Sequence, residues 1–501
     1  MPLLLIGWPI LALVAVWLVP KSAQRWIMLA LAALLVGTVC LLAWTLPDNS
    51  IFQSTGEWIR VDLLSLVMIA AITAVVLPVL LYLALNPHAA VIREGARSLS
   101  WLLAMLAAMY GVVITGNIGL LWVAVEATTI CSALLIVQGQ KRARATLEAA
   151  WKYILICSVG IIFALLGTIL FYFAAQRTGS HGLDWSALIG AAPGMEGNLV
   201  RLAFVFVLVG YGAKAGLAPM HNWLPDTYSQ APAPVAAILS AIPFGCAGYA
   251  VFRLYALVAL AGEQSFASTI LIGLGLLSVA IAVPFMLVQS DIKRLLAYSS
   301  VEHIGLVFLG LGFGSALGIS AALLHLFNHS LAKPAAFLTV GEITDAYGTR
   351  KIAKIRGLLS QSPVHGVLYL VFVFALAGMP PFALFRSELG IMGAGVFSVG
   401  WFWPALAAAF LVLIFAAFLY HSSKMAFGQP AGYRALFSGR ASADTDGAGM
   451  GADAGTSVGA GLWAVALPII LLLYLGMVEP AWLQQILEGA AQIVQQGVLR
   501  Q

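Results

Sequence analysis

The feature that most constrains this chain is a series of apolar runs, each about as long as a membrane is thick. A helix needs about 20 predominantly apolar residues to cross a bilayer, and about fourteen runs approach that length. The chain has 501 residues, of which 62% are hydrophobic and 9% charged. The sequence therefore predicts an all-α, polytopic membrane protein with about 14 transmembrane helices. The predicted spans lie near residues 2–19, 26–45, 63–85, 99–115, 117–138, 152–174, 199–218, 234–260, 267–288, 296–314, 318–341, 364–397, 401–421 and 461–478.

The basic residues predict how the chain is oriented. The first apolar run is followed by Lys21 and Arg25, which argues for a retained helix and against a cleaved signal peptide. If the N-terminus is outside, most basic residues fall in inner loops, including those at 141–144 and 350–356. We therefore predict a multi-pass protein of a bacterial or archaeal inner (cell) membrane, with both termini facing outside. No aromatic-rich soluble domain accompanies the basic loops, so nucleic acid is not an expected partner.

The spans divide the chain into five parts. Residues 1–98 would hold transmembrane helices 1–3, and residues 99–260 and 267–421 would form two five-helix blocks. Residues 422–460, rich in Gly, Ala and Asp towards their end, are predicted to be a flexible cytoplasmic loop. Residues 461–501 would hold the last transmembrane helix and an amphipathic tail at the outer interface.

Lys214 stands in an apolar run, and Pro219 follows it five residues later. A lysine near the centre of a lipid-embedded helix costs roughly 2.5–3.5 kcal/mol, so a buried one is expected to be paired and to serve ion movement. Pro219 interrupts the helix, which a membrane tolerates only where protein or a water-lined cavity satisfies the freed backbone groups. A buried amine beside a broken helix predicts an ion path.

Glu126 is a carboxylate in the middle of another span. It could be a paired group that stabilises the helix bundle, or a proton or ion ligand coupled to Lys214. We favour the second interpretation, because a small change in the geometry of such a pair would move a proton.

His325, His329 and Lys333 are four residues apart, so a helix places them on one face. Two histidines at this spacing could bind a metal, but Leu326 stands where a zinc protease has glutamate. We favour a hydrogen-bonded histidine–lysine file that conducts protons, because imidazole titrates near neutral pH. Structural packing remains the third alternative.

Glu388 follows a second proline interruption, at residues 378–381. Together with Arg386 it could be a locally satisfied pair at a helix break, or the Glu388 carboxylate could carry protons. His303 is expected to face the interior, while its neighbour Glu302 could lie at the interface.

Lys152 stands at the inner start of the sixth span, where a lysine can reach water at little cost. It is therefore a weaker candidate for the ion path than Lys214.

The two interrupted helices, at 216–220 and 377–381, occupy matching places in the two five-helix blocks. Interrupted segments in corresponding halves indicate inverted repeats with an ion site near the middle of the membrane. We therefore predict two inverted five-helix repeats with discontinuous helices.

Four cysteines stand in apolar runs without Cys-x-x-Cys spacing. Buried cysteine behaves as a small hydrophobe, so no iron–sulfur, zinc or disulfide site is expected. No usable phosphate-binding loop is apparent either. We expect no cofactor in this chain.

Two motifs carry a family resemblance. The first runs from Ala213-Lys214 through Pro219-Met220-His221 to Trp223-Leu224-Pro225-Asp226, and the second is Asp291-Ile292-Lys293-Arg294-Leu295. Over about residues 60–425 the chain resembles the antiporter-like subunits of respiratory complex I and the Mrp antiporters. It looks most like component F of hydrogenase 4 and formate hydrogenlyase-type complexes.

This resemblance implies a fourteen-helix, proton-translocating subunit with two half-channels. The family's proton path would map onto Glu126 and Lys214 as a coupled pair, His303, His329 and Lys333 as a central relay, and Glu388 as the terminal residue. Lys152, His221, Asp226 and Arg386 are further candidates. Complex I members carry a lysine or histidine in the eighth span, where this chain has Ala237 to Gly245 and no titratable group. Water held by Ser240 or Tyr249 is expected to bridge that gap.

The expected function is proton translocation in a multisubunit redox complex, hydrogenase-like or NADH:quinone oxidoreductase-like. Its partners would be other membrane and peripheral subunits, the lipid bilayer, and protons or Na⁺. Flavin, iron–sulfur or nickel–iron centres would belong to partner subunits. The alternatives are a cation/proton antiporter subunit without redox partners, and the membrane partner of an inorganic-carbon uptake complex.

Overall fold

A computed structural model describes residues 1–49, 51–53, 58–87, 89–137, 144–428 and 454–496. Over these ranges the chain is α-helical apart from turns, short loops and one antiparallel hairpin, formed by β1 (Ile51–Gln53) and β2 (Arg60–Asp62). The prediction of an all-α protein is confirmed.

The helices fall into three runs separated by interruptions. The first run consists of α1 (Leu4–Leu18), α2 (Lys21–Asn49), α3 (Leu63–Leu85), α4 (Ala90–Glu94), α5 (Ala96–Ile114), α6 (Ile118–Val137), α7 (Arg144–Gln176), α8 (Trp185–Ala191) and α9 (Gly197–Ala215). The second consists of α10 (Trp223–Gln230), α11 (Ala233–Leu239), α12 (Ile242–Leu260), α13 (Gln264–Leu287), α14 (Ile292–Gly312), α15 (Ala316–Tyr347), α16 (Leu358–Gln361) and α17 (Pro363–Leu376). The third consists of α18 (Ala383–Val399), α19 (Phe402–Phe427), α20 (Ala454–Met477) and α21 (Ala481–Gln496).

The helices have the length and surface of a membrane protein. Ten helical segments within the described ranges are long and apolar enough to cross a membrane, and α20 with α21 would make an eleventh if that bent pair is one span. On α7 the outward positions Leu155, Ile162 and Ile169 are more than half exposed, which suits contact with lipid. The prediction of a polytopic membrane protein is confirmed. The exact number of fourteen spans stays a prediction, because α1 and α17 are shorter.

The centre of the bundle is formed by helices that are buried on all sides. Every residue of α14 except Arg294 is buried, and so are nearly all residues of α15. A helix that is buried all round has no polar side facing water, so its polar side chains must find partners inside the protein. His303 stands on α14, and His325, His329 and Lys333 stand on α15.

Both predicted interruptions are present and resemble each other. The helix α9 ends before Gly216, which has a φ of 87°, and α17 ends before Gly378, which has a φ of 63°. A positive φ reverses the chain direction at a helix end and is accessible to glycine without strain. A cis proline bond follows each glycine, at Ala218–Pro219 and Pro380–Pro381. At the first break the indole nitrogen of Trp223 donates to the Ala213 carbonyl over 2.9 Å, which satisfies a group that the break leaves free.

Glycines bring α7 unusually close to α9. A Cβ on Gly160 would lie 2.8 Å from the Cβ of Ala213, and one on Gly210 would lie within 3 Å of the backbone of α7. Small residues at such positions let membrane helices pack closely. This approach allows Tyr153 on α7 to reach Lys214 on α9.

A buried ion pair joins α3 to α12. Both terminal nitrogens of Arg253 donate to the Asp62 carboxylate over 2.6 Å, and its Nε donates to the Tyr249 hydroxyl over 2.9 Å. Asp62 also caps α3 by accepting from the Ser65 amide. The Arg253 guanidinium is therefore buried and paired within the bundle.

The C-terminal segment differs from its prediction in two respects. The helix α21 is amphipathic as expected, but its apolar side chains, including Leu487 and Ile493, are buried in contact with α3, α12 and α15. Sequence periodicity identifies an apolar face without telling whether protein or lipid covers it.

The predicted loop at 422–460 lies largely outside the described residues, and its two ends are helical, since α19 runs to Phe427 and α20 begins at Ala454.

Candidate functional site

Lys214 occupies the last turn of α9, two residues before the break, and its side chain is fully buried. Its ammonium group donates to the Thr129 hydroxyl and to the Tyr153 hydroxyl, each over 2.7 Å. The C-terminal end of a helix favours a positive charge, which helps to hold the amine there. The Tyr153 hydroxyl lies 2.5 Å from the Ser132 hydroxyl, so a chain of hydroxyl groups leads away from the amine.

Glu126 lies on α6, one helical turn before Thr129. Its Oε1 accepts a hydrogen bond from Ser158 over 3.1 Å, while its Oε2 is buried without a partner in the protein. Glu126 and Lys214 do not form an ion pair within 4.0 Å. Coupling between them would therefore pass through Thr129 or through water, and it stays a prediction.

A hydrogen-bonded chain crosses from α14 to α18 through α15. The Nδ1 of His303 lies 3.0 Å from the Nε2 of His325, and the Nδ1 of His325 lies 2.9 Å from the Ser387 hydroxyl. All three side chains are fully buried. A chain of imidazole and hydroxyl groups can pass a proton along its hydrogen bonds.

The direct hydrogen bonds predicted along α15 are absent. Lys333 donates to the Leu296 carbonyl over 2.6 Å and to the Ser299 hydroxyl over 2.5 Å, both on α14. Neither ring nitrogen of His329 has a partner in the protein. Residues four apart on a helix are about 5–6 Å apart at Cβ, so their polar ends meet groups on the facing helix more readily than each other. His329 instead packs its ring against His303, with centroids 5.0 Å apart.

Glu302 is a buried carboxylate that the sequence analysis placed near the interface. It is 1% exposed, its Oε1 lies 3.6 Å from the Nδ1 of His303, and its Oε2 has no protein partner. The expectation that it is interfacial is wrong, because α14 is enclosed on every side. The apolar run that follows it, from Ile304 to Leu311, was the sequence signal that could have placed Glu302 inside.

Glu388 stands just beyond the second break and is buried. Its carboxylate lies against Gly378 so closely that a Cβ at that glycine would overlap it. Its ligand atoms and those of His303 and His325 all lie within 4.8 Å of one another, and these three residues could hold a cation. This set differs from the His325 and His329 pair that the spacing suggested.

Arg386 pairs with Glu479, in the turn between α20 and α21, and not with Glu388. Of the two alternatives for Glu388, the local pair with Arg386 does not form, because residues two apart on a helix point to different sides.

Lys152 and Asp226 lie at one end of the bundle. Lys152 pairs with Glu148 over 2.8 Å and with Asp226 over 3.1 Å, and Asp226 also pairs with Arg294 over 2.8 Å. Lys152 is nearly half exposed. This network joins α7, α10 and α14 in a way that fits a structural role.

His221 lies in the loop of the first break and packs its ring against Phe285 and Tyr298, with centroids 6.4 and 6.3 Å away. Its Nδ1 has no partner in the protein. It does not hydrogen-bond to Lys214.

In the eighth span, the two side chains that were expected to bind water already have hydrogen-bond partners in the protein. Ser240 donates to the Ala237 carbonyl, and Tyr249 belongs to the Asp62–Arg253 network. A Cβ at Gly245 would lie 3.3 Å from the Met68 methyl group, so the helix is closely packed there. Within this span, Phe244 contacts the central histidines: its ring packs edge-on against His329, with centroids 5.4 Å apart.

The fold and these buried groups define a class: membrane subunits that carry ionisable residues inside the bundle. The sequence profile of the family described as NADH:quinone oxidoreductase/Mrp antiporter, TM, matches residues 115–415. The chain belongs to this family.

Two relatives and one solved structure describe the similarity further. The chain is 38% identical to a hydrogenase-4 component F homolog of Methylacidiphilum infernorum over 332 residues, which cover 66% of this chain and 69% of that protein. It is 32% identical to NADH-quinone oxidoreductase subunit N of Desulforudis audaxviator over 309 residues, 60% of each chain, which is less than two thirds of that protein's length. Its fold matches a chain of the membrane-bound sulfane sulfur reductase, an archaeal respiratory membrane complex, with a TM-score of 0.85 and 23% identity over 100% of this chain and 99% of the other.

Proposed function

We propose that this chain is the proton-translocating membrane subunit of a multisubunit redox complex, either hydrogenase-like or NADH:quinone oxidoreductase-like. The observation that carries the proposal is the set of ionisable side chains inside a membrane bundle. Lys214, His303, His325, His329 and Lys333 are all fully buried. Ionisable groups are rare and expensive at such positions, and those that persist mark ion and proton pathways.

The first half of the proposed path contains Glu126 and Lys214. The ammonium group of Lys214 is held by two hydroxyl groups and has no carboxylate within ion-pairing distance. An amine bound only by neutral donors and acceptors can lose its proton without leaving a partner charge unpaired. Glu126 would receive that proton through Thr129 or an intervening water.

The second half contains Lys333, the His303–His325 pair and Glu388. Several buried atoms in this region have no partner in the protein, including the Oε2 of Glu302, the Nε2 of His303 and the Oε1 of Glu388. Buried polar atoms are nearly always hydrogen-bonded, and ordered water supplies the missing partners where protein does not. Water at these atoms would link Lys333, the histidines and Glu388 into one relay.

The remaining features of the proposal concern orientation and partners. The two similar breaks support two inverted repeats, and the basic loops support an inner-membrane protein with both termini outside. Redox centres such as flavin, iron–sulfur or nickel–iron groups would lie in partner subunits, and this chain would supply the proton path.

The test is proton uptake by inverted membrane vesicles that contain the assembled complex. Lys214→Ala and Glu126→Gln should each lower redox-driven proton uptake at least tenfold while the amount of assembled complex is unchanged. Exposed Lys354→Ala and Glu94→Gln are the matched controls and should pump normally. Normal pumping by both Lys214→Ala and Glu126→Gln would show that the proposed pair carries no protons.

A second candidate function is cation/proton antiport without redox partners. The cluster of His303, His325 and Glu388 favours it, because these residues could bind a cation in the middle of the bundle. Antiport predicts proton movement driven by a Na⁺ gradient in vesicles without an electron donor. Redox-coupled translocation predicts no such movement.

A further inference from the structure

A cavity of about 300 Å³ lies between α2, α3, α15 and α20. Of the described residues that line it, only Cys40 and Thr73 carry a sulfur or oxygen atom in the side chain. The Thr73 hydroxyl bonds to the Ile69 carbonyl over 2.8 Å and to the Tyr110 hydroxyl over 2.9 Å. An apolar cavity offers water no hydrogen-bond partners, so we expect hydrocarbon and not water to fill it.

Prolines in two of the four helices help to form the cavity. Pro78 stands inside α3 and Pro468 inside α20, and both line the cavity. A proline inside a helix removes one backbone hydrogen bond, and its ring crowds the carbonyl four residues earlier. The residues at those earlier positions are Ala74 and Ala464, which line the cavity too. Small side chains at the disturbed turns therefore leave space between α3 and α20.

The cavity lies at the depth where a bilayer contains only hydrocarbon. Its lining residues stand near the middle of all four helices, as Val36 does in α2, Ala74 in α3, Leu331 in α15 and Leu467 in α20. The hydrocarbon core of a bilayer is about 30 Å thick, so the middle of a spanning helix is roughly 15 Å from either headgroup region. An acyl chain can reach the cavity, and a headgroup cannot.

The mouth of the cavity continues the lipid-facing surface of the bundle. Cys40 on α2 and Leu467 on α20 line the cavity and are exposed. The nearby residues Leu41 on α2 and Ile470 on α20 are exposed as well. Lipid chains that cover these side chains can therefore enter the cavity from the side.

The central helix α15 meets the lipid-facing surface at this cavity. Within residues 321–341 of α15 every residue is buried except Phe327, which is partly exposed. Phe327 and Leu331 both line the cavity. Two positions after them stand His329 and Lys333, and two positions along a helix correspond to a turn of about 200°. A molecule in the cavity therefore packs on the side of α15 that faces away from the proposed proton path.

We propose that this cavity binds the acyl chain of a bilayer phospholipid, which packs against α15 at Phe327 and Leu331. Protein interiors are close-packed because unfilled space forfeits van der Waals contacts, and the acyl chain supplies these contacts where side chains do not. A lipid chain is as apolar as leucine, so it completes the packing without a polar contact. This binding stands whether or not the chain moves protons.

The first test is photo-crosslinking in nanodiscs that contain the assembled complex and a phosphatidylcholine with a diazirine in the middle of one acyl chain. Mass spectrometry should find this lipid attached to Phe327 or Leu331, because the described residues enclose α15 elsewhere between 321 and 341. Absence of lipid from this segment, in a complex that is labelled at other helices, would overturn the proposal. That result is expected if an apolar helix of a partner subunit covers the cavity.

Filling the cavity should prevent the labelling of α15. Ala70 and Ala74 line the cavity one turn apart on α3 and are partly exposed. In the double variant Ala70→Leu/Ala74→Leu, leucine side chains take the space, so labelling of α15 should fall about fivefold or more while the amount of assembled complex is unchanged. The matched control is Ala405→Leu/Ala409→Leu, which changes two exposed alanines one turn apart on α19. Equal labelling of α15 in the two double variants would contradict the proposal.

The second test uses the natural cysteine, so it needs no substitution that could impair folding. Cys40 lines the cavity and is exposed, whereas Cys131, Cys157 and Cys246 are buried. Dodecyl methanethiosulfonate should attach an alkyl chain to the Cys40 thiol and lower lipid labelling of α15 about fivefold or more, and a reductant that cleaves the mixed disulfide should restore it.

Two controls accompany the cysteine test. Methyl methanethiosulfonate modifies the same thiol without filling the cavity, and Cys40→Ala treated with the dodecyl reagent lacks the thiol. Both should keep the labelling of α15 found in the untreated complex. Undiminished labelling after dodecyl modification of Cys40 would show that the acyl chain does not occupy this cavity.

Discussion

The Nδ1 of His303 and the Nε2 of His325 lie 3.0 Å apart and join two helices at the centre of the bundle. Because one ring must donate and the other accept, the two neutral imidazoles share one proton along this bond. The same His325 ring reaches Ser387 at its other nitrogen. The pair is therefore the middle of a chain and not an isolated contact.

Replacing His325 should interrupt that chain. His325→Gln keeps a polar side chain but cannot take up and release a proton at neutral pH, so we expect redox-driven proton uptake to fall at least tenfold. The measurement is the initial rate of uptake in vesicles, normalised to assembled complex. His181→Gln changes an exposed histidine and should leave the rate unchanged. An undiminished rate in His325→Gln would contradict a role for the pair.

Tyr153 is predicted to hold the Lys214 amine in place. Tyr153→Phe removes one of its two hydrogen bonds and the link to Ser132. Hydrogen bonds to charged groups contribute about 1.5–3 kcal/mol, so we expect proton uptake to fall about tenfold or more. Tyr369→Phe is the control, because that buried tyrosine bonds to Ser422 and not to Lys214. Equal rates in the two variants would show that the hydroxyl does not support the amine.

Gly378 is predicted to be required for the position of Glu388. Gly378→Ala places a methyl group where the Glu388 carboxylate lies, so the carboxylate must move and proton uptake should be largely lost. Gly400→Ala separates this effect from backbone strain. Gly400 also has a positive φ, 85°, but a Cβ there meets open space. Backbone strain at a positive φ costs on the order of 1–3 kcal/mol in either variant, and only Gly378→Ala should lose uptake.

The Asp62–Arg253 pair is predicted to stabilise the fold. Asp62→Asn leaves a buried guanidinium without its counter-charge, which costs about 3–5 kcal/mol. We expect a lower melting temperature of the detergent-solubilised chain and less assembled complex. Glu196→Gln breaks the pair with Arg177, in which both side chains are at least half exposed, and should change stability by less than about 1 kcal/mol. Similar melting temperatures for both variants would contradict the structural role.

Orientation can be measured with reporter fusions. A periplasmic reporter placed after Gly179 should be active, since we expect this loop outside. A cytoplasmic reporter placed after Gly357, in the basic loop at residues 350–356, should be active inside. Opposite results at both positions would reverse the proposed topology.

Much of the fold could be read from the sequence because membrane helices follow simple rules. Apolar length predicted the spans, and glycine with proline predicted the breaks after Ala215 and Leu376. The buried positions of Lys214, His303 and Lys333 followed from their apolar surroundings. These inferences need only local sequence, since a lipid environment imposes the helix on each segment separately.

The partners of the buried groups could not be predicted in this way. Sequence spacing suggested that His329 would bond to Lys333, whereas Lys333 reaches α14. It offered Glu388 as an alternative partner for Arg386, whereas Arg386 pairs with Glu479 in the turn between α20 and α21. Each of these partners stands on another helix, and the distance along the chain carries no information about which helices lie side by side.

The sequence by itself therefore determined the class of structure, the interruptions and the identity of most ionisable groups in the bundle. Only the tertiary structure decided that His303 meets His325, that Glu302 is enclosed, and that α21 packs its apolar face on the bundle. The physical reason is that burial and hydrogen bonding depend on the packing of helices against each other. The spacing of apolar residues along one helix does not specify which neighbour the helix packs against, because lipid and protein can both cover an apolar surface.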